Sequence, residues 1–181
     1  MDFGSVFTQF AAYITREYGV VVAIKSLPPD MTGDFDGTHI AVRADLDAEI
    51  KLFILAHLFG HTVQFNTSAT LRQIGVTSFT AHNINPDIMS VIQLYEQEAG
   101  QYGLAVLHAL GIFELDQWLS DWVWGDWSYL KLVYETKRAP EIVPEQIKLF
   151  KNKYVHSGSK IIAPLPVPPF TPQIWEKRAS F

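Results

Sequence analysis

Cysteine is absent from this 181-residue chain, which excludes a disulfide framework, a thiol nucleophile and every thiolate metal site. Any metal must therefore be held by imidazole and carboxylate, and the chain has six His. Charge is scarce as well. Charged residues make up 18% of the chain against 48% hydrophobic ones, which excludes a disordered or coiled-coil protein. Long apolar runs are also missing: the longest, Leu52 to Phe65, is interrupted by His57, Gly60 and His61 and is too short to span a bilayer. Met1-Asp2 lacks the basic flank of a secretory signal, so a cytoplasmic protein without membrane contact is expected.

What the chain does have is aromatic residues, 13% of the total, including five Trp and twelve Phe. They imply much buried or binding surface for one domain of this size. The net charge of -5 hides an asymmetry. Residues 1–130 carry 5 Lys and Arg against 15 Asp and Glu, whereas residues 131–181 carry 9 against 4. The two parts can pair within the chain, or the basic part can meet an acidic partner. The acidic body argues against direct nucleic-acid binding.

Periodicity outlines an α+β protein. Val6, Phe10 and Ile14 predict a helix over residues 5–18, stopped by Gly19. A β-branched run over 19–25 and the segment 38–43, with Asp36-Gly37 as a hairpin signal, predict a small sheet. Asp45, Asp47 and Glu49 precede a helix over 48–65, and Asn85-Pro86-Asp87 starts another that ends near Leu110. Between them, residues 66–85 form a connection long enough to hold a short element. Leu115, Trp118, Leu119 and Trp122 predict a helix ending at Gly125, with Asp126 capping the next and a shorter helix after Pro144. The expected organisation is one domain over 1–160, with a motif-bearing part (1–110) and aromatic-rich helices (111–160). A Pro-rich extended tail over 161–181 follows, containing two P-x-x-P matches.

The chemistry centres on His57-Leu58-Phe59-Gly60-His61. Histidines four apart project from one helical face and can close on one cation. On the next helix Glu98 interrupts the stripe Val91, Tyr95, Tyr102, Ala105 and Ala109, and a carboxylate on an apolar face wants a cation. His57, His61 and Glu98 are thus the expected ligands of one divalent metal, zinc above others. Glu96, two positions away, is expected to point elsewhere as a solvated or outer partner.

These residues resemble a family. His57-Leu58-Phe59-Gly60-His61, the preceding hairpin Gly33 to Ile40 and the later Glu96-Gln97-Glu98-Ala99 are similar to the ImmA/IrrE-type zinc metallopeptidases. Their fingerprint is H-E-x-G-H followed by E-x-E-A, and the likeness covers residues 1 to 110. It implies a zincin-like fold with His57, His61 and Glu98 on zinc. It also implies a protein or peptide partner, since such enzymes cleave transcriptional repressors. One departure is decisive for activity: the family's catalytic Glu corresponds to Leu58, which has no proton to exchange. Losing a general base costs about 10²- to 10⁴-fold in rate. His39 and His82 are the candidate substitutes within the sequence. The expectation is a metal-binding relative without ordinary peptidase activity, acting in binding or regulation. The alternatives are an active peptidase using another base and an interaction protein with a purely structural metal.

Overall fold

Helix α1 (Phe3–Tyr18) opens the chain, with Asp2 accepting the Gly4 N–H at 3.0 Å and Gly19 closing it in the left-handed region at φ 70°. Its buried stripe is Val6, Phe10 and Ile14, the spacing read from the sequence. The computed structural model describes residues 1–29, 31–76, 85–136, 143–157, 159–175 and 179–180. Strands β1 (Val21–Lys25), β2 (Gly33–Phe35) and β3 (His39–Arg43) follow, and β4 (Ala179–Ser180) completes a sheet of order β1-β3-β2-β4. β1 and β3 run parallel, Val21 opposite His39, while β2 is antiparallel to β3 with Phe35 opposite Ile40. Asp36 makes the turn, its Oδ1 accepting from the N–H groups of Thr38 and His39 at 2.9 and 2.8 Å.

Helix α2 (Ala48–Thr67) starts at Asp47, which accepts the Ile50 N–H at 2.8 Å. It runs through the centre of the molecule and is buried at every position from Leu52 to Phe65. That explains why this segment reads as a nearly continuous apolar run: every face of the helix meets protein. Around it lie α1, the sheet, α3 (Ala69–Val76), α4 (Pro86–Ala109) and α5 (Asp116–Thr136), and α6 (Val143–Ser157) packs on α5. The architecture is α+β. Among the described residues, no helix is long and apolar enough to cross a membrane.

Helix α5 departs from the sequence expectation. Gly125 does not stop it, and Asp126 caps nothing; both lie within one continuous helix. The reason is packing: a methyl on Gly125 would lie 2.7 Å from the backbone nitrogen of Lys151, so this glycine is where α6 comes closest. The charge asymmetry is in part internal, because Lys148 reaches Asp47 at 2.5 Å and Lys151 reaches Glu49 at 2.7 Å. The indoles of Trp118 and Trp122 also donate to Glu49 Oε1, each at 3.1 Å. The Trp-rich stretch is mainly core, with Trp122 and Trp127 buried.

From Ser159 to Trp175 the chain is extended, as its prolines dictate. It crosses α5, where the Ile162 N–H donates to Ser120 Oγ at 3.0 Å and the Ile162 side chain enters the core. Phe170 then stacks on Tyr18 at 5.5 Å, and the Trp175 N–H donates to the Asp36 carbonyl at 3.0 Å. Arg72 lies over the Trp175 ring at 3.7 Å.

Candidate metal centre

Small residues bring α2 and α4 together. A methyl on Gly60 would overlap the Ala99 carbonyl, and one on Gly103 would come within 2.7 Å of the Ala56 carbonyl oxygen. Gly60 therefore serves a close approach to α4. The buried face of α4 is Ile92, Tyr95, Glu96, Ala99, Gly100, Gly103, Leu104, Val106 and Leu107. Val91, used to define the stripe from the sequence, is exposed. The true stripe is rotated toward the small residues, and it carries Glu96 inward.

The consequence is a different glutamate beside the histidines. Glu96 Oε2 stands 3.1 Å from His57 Nε2 and 3.2 Å from His61 Nε2, and the two imidazole nitrogens are 3.0 Å apart. All three residues are buried, and among the described residues they form the one His and carboxylate group close enough to share an ion. Glu98, expected there, is half-buried and meets Gln64 Nε2 at 3.4 Å. It is Glu96, not Glu98, that the structure brings to the histidine pair.

Hydrogen bonding assigns the protons. Gln64 Nε2 donates to the Tyr95 carbonyl at 2.9 Å, which turns Gln64 Oε1 toward His61 Nδ1 at 2.8 Å. His61 Nδ1–H is thus the donor, and in the neutral ring Nε2 keeps its lone pair. That lone pair faces the Glu96 carboxylate and His57 Nε2. Three electron-rich atoms converging in a buried space need a proton or a cation between them. Ligands about 2.0–2.1 Å from a tetrahedral ion lie about 3.3 Å from each other, close to the three separations observed. The donor set therefore fits a divalent metal.

Burial alone would raise the Glu96 carboxyl, but when a proton instead of a metal ion sits among the three groups, the charge at His61 and the bonds from His57 and His61 hold it down to about 2. Aromatic rings wall the group: Phe35 and Tyr95 stack on His61 at 6.0 and 4.6 Å, and Phe53 lies 5.5 Å from His57.

No family model, curated protein or solved structure matches the chain. The centre is defined by its own residues. Leu58 is fully buried and packs toward β2, its Cδ1 2.6 Å from where a methyl on Gly33 would stand. His39 is exposed on β3, where its Nδ1 meets Thr38 Oγ1 at 2.7 Å and Asp36 Oδ2 at 3.2 Å, and it takes no part in the cluster. His82 lies outside the described residues.

One residue at the centre went unnoticed in the sequence. Asp126 Oδ2 lies 3.7 Å from His57 Nε2, just outside the three-residue group. Burial pushes its carboxyl up to about 6, with Glu96 adding to the rise and His57 opposing it. Leu119, Trp122, Val123 and Trp127 form the apolar stripe that Asp126 interrupts. The argument applied to Glu98 would have found it, had Gly125 not been read as a stop.

Proposed function

We propose that this chain is a zincin-like metal-binding protein related to the ImmA/IrrE peptidases, which binds a protein or peptide partner without cutting it. His57, His61 and Glu96 would hold one divalent ion, zinc above others. The observation that carries the reading is the triangle of 3.0, 3.1 and 3.2 Å among their buried ligand atoms. Its support from the fold is the order of elements: a helix, a small mixed sheet, then two helices bearing the histidines and the glutamate.

A zinc ion there would supply Lewis acidity toward a water or a carbonyl. The chain's own residues do the rest: Gln64 orients His61, and the aromatic rings exclude solvent. Leu58, at the position of the family's general base, offers no proton acceptor, and this argues for binding over hydrolysis. The partner class drawn from the resemblance is a transcriptional regulator, and the setting a cytoplasmic one.

Metal analysis of the purified protein, paired with incubation against a peptide library, tests the reading. One equivalent of zinc and no cleavage are expected. Zinc-dependent cleavage that disappears in His57→Ala would overturn the non-catalytic part, and failure to bind any divalent ion at neutral pH would overturn the centre.

A further inference from the structure

This inference rests on the metal reading above and concerns its remaining side. Asp126 comes from a third helix, α5, and only 8% of its surface is exposed. Its nearest partner at the centre is His57 Nε2 at 3.7 Å. Two carboxylates, Glu96 and Asp126, therefore face the same imidazole in a space nearly closed to water. Two carboxylates facing one buried imidazole are unfavourable together unless one takes a proton or a cation lies between them. Two neutral imidazoles and two carboxylates balance a divalent ion in charge as well as in number.

We infer that Asp126 is the fourth protein ligand, so that His57, His61, Glu96 and Asp126 enclose one divalent cation and leave it no open position. Three of the four donor atoms already stand at the mutual spacing of a tetrahedral site. The fourth is 3.7 Å from the His57 vertex and more than 4.8 Å from at least one of the other two ligand atoms, so closing the site requires the ion to draw Asp126 inward. Zinc sites closed by four protein side chains are structural, whereas catalytic ones keep a position for water or substrate. The ion would then staple α2, α4 and α5 together, and the protein would act through the surface this staple maintains.

Cobalt(II) substituted into the full-length protein provides the test, because its visible spectrum reports coordination. The spectrum of the wild-type protein should not change with azide. Asp126→Ala should bind cobalt more weakly by more than the roughly 10- to 100-fold that outer partners are worth, and azide should shift its spectrum. Asp126→Asn, nearly isosteric, provides the same comparison if the alanine variant folds poorly. Azide shifting the wild-type spectrum would overturn the closed site, as would an Asp126 variant matching wild type in both affinity and spectrum. Absence of cobalt binding by the wild-type protein would instead overturn the metal reading itself.

Discussion

Gly60 of α2 and Ala99 of α4 meet backbone against backbone, with no room for a side chain on Gly60. This contact sets how closely the histidine helix approaches the glutamate helix, and hence whether three ligand atoms can share an ion. Gly60→Ala should cost about 1–3 kcal/mol in stability, the usual penalty of overpacking. It should also weaken zinc binding, because the helices must separate. Urea denaturation and zinc titration of the same variant check both effects.

The two glutamates give a sharp comparison. Glu96→Gln should weaken zinc binding by more than the roughly 10- to 100-fold that outer partners of a metal site are worth. Glu98→Gln, which reaches the centre through Gln64, should stay within that range. Competition with a chromophoric chelator measures both, and equal effects would restore Glu98 as a ligand candidate.

Glu49 ties the start of α2 to α5 and α6. Burial would raise its carboxyl, but the bonds from Lys151, Trp118 and Trp122 outweigh this and keep it below its ordinary value. A carboxyl lowered in the folded state contributes stability above its unfolded pKa and loses it as pH falls through the folded one. Glu49→Gln should therefore destabilise the protein at pH 7 by about 1–2 kcal/mol, and the gap from wild type should close in strong acid. Thermal melts from pH 7 down to pH 2 would show this convergence, and a gap independent of pH would refute it.

Leu58→Glu is the obvious attempt to rebuild a peptidase. Because Leu58 is fully buried against β2, the introduced carboxylate would enter a site without water. A loss on the order of 3 kcal/mol or more is expected, with no gain of cleavage. Circular dichroism melts and peptide digestion provide the check. A stable variant that cleaves peptides would show that position 58 opens toward the metal.

The extended tail is anchored in the core at Ile162 and packs against it through Val167, Phe170 and Trp175. Ile162→Ala should cost about 2–4 kcal/mol, as for other buried aliphatic truncations. Phe170→Ala, which loses a half-buried ring stacked on Tyr18, should cost less. Denaturation midpoints of the two variants would show the order.

The sequence made the long elements readable because caps and periodicity act locally. Asp47, Asn85 and Gly19 mark ends that the structure keeps. β2 shows only as the first arm of the Gly33 to Ile40 hairpin, because Gly33-Asp34-Phe35 is too short for an alternation to register. The histidine pair was legible since its spacing lies within one helix. The glutamate that joins the pair was not, because the inward face of α4 is chosen by Ala99 and Gly103, whose lack of bulk is a property of the contact with α2 and leaves little mark on hydrophobic periodicity. Asp126 is hidden for a related reason: Gly125 has the signature of a terminator but is a packing contact with α6.

The burial of His57, His61 and Glu96 between two helices has a consequence for time. An ion held there leaves only when α2 and α4 part, so its residence is set by the opening of that helix pair and not by diffusion from a surface. Loaded and empty molecules would then persist as separate populations, and the metal supply while the chain folds would decide which of them a cell contains.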